Sequence, residues 1–132
     1  MAVIANAQVQ TLKQPWAGQV ISGKHLLMTD KSESFGGQDQ GLAPYDFMCV
    51  GLISCTMITL RMYAQHKGIE FGEFTVEADF KANKEGEEWI ERRLHFVELL
   101  SEELKKKVLD ICEKTPVTKT LLRSLKINTQ LI

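Results

Sequence analysis

Cysteine is the residue type with the clearest chemical potential in this chain. It occurs three times, as Cys49, Cys55 and Cys112. Cys49 and Cys55 are six residues apart, so on one helix their side chains diverge by about 120° and cannot bridge each other. Thr56 follows Cys55 directly and Thr59 comes one turn later. Hydroxyl groups so placed can hydrogen-bond a thiolate, which favours thiol chemistry at Cys55. The alternative is that each cysteine is a small apolar packing residue.

Other catalytic patterns are missing from the sequence. The glycine cluster GGQDQG at 36–41 does not match the sequence pattern of a phosphate-binding loop. The sequence also has no nucleophile elbow and no pair of residues at metal-ligand spacing. The three histidines, His25, His66 and His95, are isolated from one another in the sequence. We therefore expect no cofactor and no metal.

Composition limits the class of protein further. The 132 residues, 44% hydrophobic and 25% charged, fit one ordinary globular domain over residues 1–132. A net charge of -1 argues against nucleic acid as a partner and favours a small ligand. The start, MAVIANAQVQ, does not resemble a secretory signal, and the longest uncharged stretch, 47–60, is too short for a bilayer of about 30 Å. An odd number of cysteines also argues against a structural disulfide framework. Together these features predict a cytoplasmic protein without a membrane partner.

The first half of the chain predicts three strands and a long helix. Alternating or β-prone segments at 2–12, 16–22 and 25–30 indicate strands, and the glycine-containing segment 31–43 indicates a loop. Pro44 suits the first position of a helix, and Gly68 suits its left-handed end, so we predict a helix over 44–67. Its uncharged middle predicts burial nearly all round, which requires a second helix, a partner chain, or both.

The second half predicts two strands, two helices and a last strand. Residues 74–81 alternate strictly, and 89–98 follow after a turn. Ser101 is a good N-cap for a helix, and Thr115 before Pro116 repeats that signal for a short one. Residues 125–131 alternate again as a final strand. The predicted order is βββ-α-ββ-αα-β, an α+β fold.

The segment GGQDQGLAPYDFMCVGLISCTMITLRMYAQHKG resembles the signature of the OsmC/Ohr family, the osmotically inducible protein C and organic hydroperoxide resistance proteins. The resemblance implies an intertwined homodimer in which a long buried central helix packs against antiparallel sheets, with two sites at the subunit interface. It also implies that Cys55 is a peroxidatic cysteine, which attacks the O–O bond of a peroxide and becomes a sulfenic acid.

The chain departs from this family at the second cysteine. The family commonly has a resolving cysteine at the start of a Cys-Pro-Val-His stretch, where this sequence reads Thr115-Pro116-Val117-Thr118. Cys112 lies about one helical turn earlier and is a possible resolving cysteine. The alternative is that Cys112 belongs to an apolar stripe of its helix.

The activating cation of the family also needs a substitute. Peroxidase members use an arginine from the N-terminal strands, but no arginine precedes Arg61 here. Of the cations that remain, Arg92 is favoured because Ile90 and Leu94, two residues away on either side, indicate an inward face. The others are Lys13, Lys24 and Arg93.

An acidic residue is expected shortly after the loop proline, and Asp46 stands two places after Pro44. Nine residues of straight helix separate Asp46 from Cys55 by about 180°. Asp46 would therefore serve the cysteine of a second subunit, or the helix would be broken between them.

Together these features predict a thiol peroxidase or redox protein. Cys55 would reduce an organic or hydrogen peroxide, assisted by Asp46, Thr59 and Arg92, and an external thiol would be the reductant. The alternative is a non-enzymatic OsmC-like dimer that binds a small apolar ligand at a degenerate site.

Overall fold

The computed structural model describes residues 2–132 and divides the chain into two compact units. The first unit ends at Met48 and the second is Cys49–Ile132. Each contains antiparallel strands, and a long helix begins in the first unit and continues in the second. The predicted α+β class is confirmed, whereas a single domain over residues 1–132 stays a prediction.

The first unit contains a three-stranded antiparallel sheet in the order β1-β2-β3, formed by β1 (Gln8–Thr11), β2 (Gly18–Ser22) and β3 (His25–Thr29). Gly23, at φ 58°, forms the tight β2–β3 turn that the sequence predicts. The first strand is shorter than the predicted 2–12. Strand β2 pairs only with residues 8–11, with Gln8 opposite Ile21. The residues before Gln8 pair with no strand among residues 2–132, so β1 begins at Gln8.

A buried carboxylate organises the loop after β3. Asp30 is 3% exposed, and its oxygens accept hydrogen bonds from the main-chain N–H groups of Lys31, Gln38 and Gln40 at 2.7, 3.3 and 3.2 Å. A short 3-10 helix, Glu33–Phe35, lies within this loop and was not predicted. The Asp30 carboxylate accepts the hydrogen bonds that three main-chain N–H groups would otherwise give to water. These bonds hold the loop folded back on itself before the helix begins.

Helix α1 runs over Pro44–Lys67, as predicted, and Gly68 ends it at φ 65°. Its buried residues recur every four positions along one stripe: Leu52, Thr56, Leu60 and Ala64. Apolar side chains on its other faces are exposed, with Ile58 at 51% and Met62 at 64%. Burial nearly all round is therefore not achieved within a single chain.

The second unit adds a hairpin of β4 (Phe74–Ala82) and β5 (Glu88–Phe96), paired antiparallel from Phe74 opposite Phe96 to Ala82 opposite Glu88. Both strands were predicted. Their inner face packs on a core of residues from α1, the following loop and the next helix: Leu60, Ala64, Phe71, Val108 and Cys112. The ring of Phe71 meets those of Phe74 and Phe96 edge-on.

Two helices complete the unit, α2 (Glu102–Cys112) and α3 (Pro116–Leu121). Both predicted N-caps are confirmed, since Ser101 accepts from the N–H of Leu104 and Thr115 accepts from the N–H of Thr118.

The strand predicted over 125–131 is wrong for the isolated chain. Leu125 and Ile127 are 66% and 87% exposed, and the segment pairs with no strand within residues 2–132. Alternating apolar residues form a strand only where a sheet edge accepts them, and none accepts this segment.

Among the helices of residues 2–132, α1 is long and apolar enough to cross a membrane by length and composition, although its longest uncharged stretch has fourteen residues. Core helices of soluble proteins pass the same test. Much of the apolar surface of α1 is exposed in the single chain.

Candidate thiol site

The Cys55 thiol lies half-buried on the middle of α1. Within residues 2–132 its Sγ has one hydrogen-bonding partner, the Oγ1 of Thr59 at 3.9 Å. Residues four apart lie on the same face of a helix, so the predicted association of Cys55 and Thr59 follows from helix geometry. Cys49 is also half-buried, and no disulfide joins the three cysteines.

Arg92 projects from the centre of β5 towards α1. Its Nη1 donates to the Oγ1 of Thr56 and to the Oγ1 of Thr118, both at 3.0 Å, and its Nη2 donates to the carbonyl oxygen of Cys112 at 3.0 Å. One guanidinium thereby ties β5 to α1, to the end of α2 and to α3. The inward orientation expected from the alternation of β5 is present, whereas the role of Arg92 in catalysis stays a prediction.

Arg92 makes no hydrogen bond to Cys55; it contacts α1 at Thr56, the residue that follows Cys55. It also takes part in none of the ion pairs within residues 2–132. All of its acceptors are neutral oxygens. The guanidinium thus keeps a positive charge that no neighbouring carboxylate neutralises.

Arg93, the second arginine considered, belongs to the opposite face of β5. It pairs with Glu77 at 2.7 Å and with Asp79 at 2.9 Å on the exposed side of the hairpin. These hydrogen bonds, chiefly that of Glu77, raise the pKa of the Arg93 guanidinium. Lys13 and Lys24 lie in the first unit. Of the four candidate cations, Arg92 is therefore the one that hydrogen-bonds a residue of α1.

Two threonines complete a polar cluster with Arg92 and Thr56; the sequence predicted Thr115 as an N-cap and gave Thr118 no positive role. Thr115 and Thr118 are buried, and their hydroxyl oxygens are 2.6 Å apart. Thr118 also donates its hydroxyl proton to the carbonyl oxygen of Cys112 at 3.1 Å. The N-cap pattern at Thr115 was the available signal, because the residue three positions after an N-cap lies beside it. The convergence with Arg92 was not visible in the sequence.

Cys112 contributes its carbonyl group to the cluster, while its side chain is only 2% exposed. Burial raises the pKa of the Cys112 thiol; the positive charge of Arg92 opposes this in part, and Glu113 adds to it. A buried, protonated thiol is a poor partner for a sulfenic acid on another element. The resolving role of Cys112 stays a prediction, and its position favours the packing alternative.

The pKa of Cys112 leads to a testable pH dependence of stability. Above about pH 8.5, the ordinary pKa of a cysteine, the unfolded chain ionises at Cys112 while the folded chain keeps the proton. The free energy of unfolding should therefore fall as pH rises above about 8.5, by at most about 1.4 kcal/mol per pH unit for this group. In Cys112→Ala, urea denaturation should give a shallower fall. Val108→Ala, a buried apolar truncation beside it, should keep the slope, and equal slopes in the parent and Cys112→Ala would refute the assignment.

Asp46 serves the start of α1. Its Oδ2 accepts the N–H of Ala43 at 3.0 Å, which satisfies a main-chain donor just before the helix. Helix α1 is continuous from Pro44 to Lys67, which removes the alternative of a broken helix. A role of Asp46 at the cysteine of a second subunit stays a prediction.

An open groove of about 920 Å³ runs along the exposed side of α1 and the start of β4. Met57, Ile58 and Met62 give it an apolar wall, and Arg61 and Glu73 add charge. Cys55 does not line it. Within residues 2–132, no group of three His, Cys, Asp or Glu side chains is placed to hold a metal ion.

Known structures and a family model match this chain over most of its length. The structural relatives include a Psychrobacter arcticus 273-4 protein provisionally assigned to the osmotic stress and detoxification response (17% identity, TM-score 0.76, covering 91% of this chain and 90% of that one). They also include the organic hydroperoxide resistance protein OsmC of Legionella pneumophila (16%, 0.68, 92% and 90%) and OhrB of Bacillus subtilis (16%, 0.60, 89% and 90%).

At these identities the structures show a shared fold. Comparison with the curated proteins gives no significant match. The model of the OsmC family, described as OsmC-like protein, matches residues 37–130. This range includes α1, the β4–β5 hairpin and the threonine cluster, which is the group of Thr56, Thr115 and Thr118 around Arg92. This chain belongs to the OsmC-like protein family.

Proposed function

We propose that this protein is a thiol-dependent peroxidase that reduces organic or hydrogen peroxides through Cys55. The observation that carries the proposal is a half-buried thiol on the central helix of an OsmC-like fold, one residue from a hydroxyl that holds an un-neutralised guanidinium. The thiolate form of cysteine is the nucleophile in reactions of this class. Relatives described as organic hydroperoxide resistance proteins support the same reaction class.

The reaction follows from the chemistry of a single accessible sulfur. The Cys55 thiolate attacks one peroxide oxygen, the S–O bond forms as the O–O bond breaks, and the departing alkoxide takes a proton to leave as an alcohol or water. The cysteine is then a sulfenic acid. Since Thr115 stands where relatives have a resolving cysteine, an external thiol attacks the sulfenic acid and releases water. A second external thiol then restores Cys55 and leaves as a disulfide.

The active form in this proposal is a cytoplasmic homodimer. The exposed apolar side chains of α1 support a second copy as their cover, because a soluble monomer would not leave so large an apolar surface in water. In such a dimer Asp46 of one subunit would serve Cys55 of the other.

The dimer is tested by a charge on the exposed face of α1. Ile58→Glu should convert a dimer into monomers or aggregates, because a buried unpaired carboxylate costs several kcal/mol. Analytical ultracentrifugation across protein concentration measures this. Lys84→Glu, a charge change in the exposed turn after β4, is the control and should remain dimeric. A parent protein that is monomeric at micromolar concentration would contradict the proposal.

The decisive test of the function is the pH dependence of Cys55 alkylation, read by peptide mass spectrometry so that the three cysteines are distinguished. Labelling of Cys55 that stays fast well below pH 8.5 supports a thiol poised for peroxide reduction. Labelling that becomes fast only above that pH, or none in the folded protein, would refute it.

The open groove beside α1 favours one other function. Its apolar wall supports binding of a small apolar ligand by an OsmC-like dimer that has lost turnover. Under this alternative, a peroxide is not consumed, and an apolar fluorescent probe binds to the parent protein with an affinity that is unchanged in Cys55→Ser.

A further inference from the structure

The geometry points to a second binding site, in which Arg92 holds the carboxylate of a medium-chain aliphatic acid in an open groove between β5 and α2, the β5–α2 groove. Cys55 does not line this groove, and binding there does not depend on the reaction of the thiol. Unused donors on the guanidinium, its uncompensated charge and the apolar walls beside it support the site.

Arg92 uses three of its five N–H donors within residues 2–132. Nη1 donates to Thr56 and to Thr118, and Nη2 donates once, to the carbonyl oxygen of Cys112. The Thr118 and Cys112 oxygens are 3.1 Å apart, so Nη1 and Nη2 reach them side by side across the outer end of the guanidinium. The lateral edge, made of Nε–H and the second Nη2–H, is left unused. An edge of this kind binds a carboxylate through two parallel hydrogen bonds.

The lateral edge of Arg92 is open to solvent. Arg92 is half-buried, and every buried side-chain nitrogen or oxygen atom of residues 2–132 has a hydrogen-bonding partner. Nε has no such partner, so it is not fully buried. Arg92 also lines the β5–α2 groove. A ligand in the groove can therefore approach the lateral edge.

The charge of Arg92 favours an anion in this position. Two other charged residues line the groove, and both have partners elsewhere: Lys105 forms an ion pair with Glu102 at 3.0 Å, and the carboxyl group of Glu98 lies against Gly72, which lines the groove beside α1 and not this one. Arg92 forms no ion pair within residues 2–132. Water screens a half-buried charge less than an exposed one, so an anion gains more at Arg92 than at a surface lysine.

The walls of the groove suit an aliphatic chain. The groove has a volume of about 500 Å³, which lies in the range of sites for small ligands. Its apolar lining includes Leu94, Phe96, Leu100, Val108 and Leu109. Leu109 is 63% exposed, so its apolar surface is available to a ligand. Burial of methylene groups on these walls adds affinity that a carboxylate alone lacks.

The probe is octanoate, titrated into the protein and followed by isothermal titration calorimetry. Octanoate should bind at least about tenfold more tightly than acetate, which lacks the tail, and than octylammonium, which has the tail and the opposite charge. Arg92→Lys keeps the charge but has no lateral edge, and it should weaken octanoate binding about tenfold. Equal affinity for octanoate and either control ligand would overturn the site.

Leu109→Asp tests the position of the site without changing Arg92. It places a negative charge on an exposed wall of the groove and should weaken octanoate binding at least about tenfold. Leu122→Asp makes the same change at a leucine that is 75% exposed and does not line the groove. This control should stay within about twofold of the parent, because water and salt screen a distant charge. Should Arg92→Lys fold poorly, Leu109→Asp decides, and an affinity equal to that of the parent overturns the site.

The result is distinguishable from the test of the proposed function. Slow alkylation of Cys55 would refute the peroxidase and leave the octanoate site standing, since the titration uses no peroxide. A parent protein that shows no saturable binding of octanoate would overturn the site alone. The lateral edge of Arg92 would then be hydrated or paired with a carboxylate of a second copy.

Discussion

Replacing Cys55 by serine is expected to abolish peroxide consumption. With dihydrolipoamide as the reductant and an organic hydroperoxide as the substrate, Cys55→Ser should lower turnover at least about 1,000-fold, to the uncatalysed background. The change substitutes one oxygen for one sulfur, and a serine hydroxyl remains protonated at neutral pH, so no nucleophile is left. Loss of reductant thiol and loss of hydroperoxide are measured together, because the proposed reaction consumes two thiols per peroxide.

The other cysteines provide matched controls for this experiment. Cys49→Ser changes a half-buried cysteine of the same helix and should retain turnover. Cys112→Ser tests the resolving alternative, since unchanged turnover removes Cys112 from the cycle. Activity that persists in Cys55→Ser, or that disappears equally in Cys49→Ser, would contradict a peroxidatic role for Cys55.

The fold was predictable where local signals decide it. Pro44 and Gly68 bound α1 because a missing N–H and a left-handed backbone act within one turn of the helix end. Strict alternation over 74–81 predicted β4, because successive side chains of a strand point to opposite faces and the pattern is therefore visible in neighbouring residues. The inward orientation of Arg92 followed from this alternation as well.

What depends on distant partners was not predictable. The alternation over 125–131 resembles that of β4, yet it pairs with no strand among the described residues 2–132. The burial of α1 was also not predictable, because the sequence of an apolar helix does not identify the molecule or element that covers each of its faces.

The threonine cluster shows why the candidate site was only half predicted. Cys55 and Thr59 are neighbours through helix geometry alone, so their contact could be inferred. Thr56, Arg92 and Thr118 come from α1, β5 and α3; Thr56 is 36 positions from Arg92 in the sequence, and Arg92 is 26 positions from Thr118. The resemblance to the family implied only a replaced histidine at Thr118, whereas the structure gives the Thr118 hydroxyl three hydrogen-bonding partners.

The same cluster predicts a large stability effect for Arg92→Leu. Leucine removes three charge-assisted hydrogen bonds from a half-buried guanidinium, and it leaves the Thr56 oxygen without a donor. The free energy of unfolding should fall by roughly 2–4 kcal/mol, less than three independent bonds would give because the contacts share partners. Urea denaturation at pH 7 measures the change.

Arg93→Leu is the matched control, because it removes the adjacent arginine and two exposed ion pairs with Glu77 and Asp79. Exposed pairs are screened by water and salt, so its loss of stability should be much smaller. Arg92→Lys should fall between the parent and Arg92→Leu, since an ammonium keeps the charge but cannot match the planar fork that reaches Thr56, Thr118 and the Cys112 carbonyl together. An Arg92→Leu protein as stable as the parent would mean that apolar packing replaces the network without loss, as happens at some buried ionic sites. The cluster would then make no net contribution to the stability of the fold.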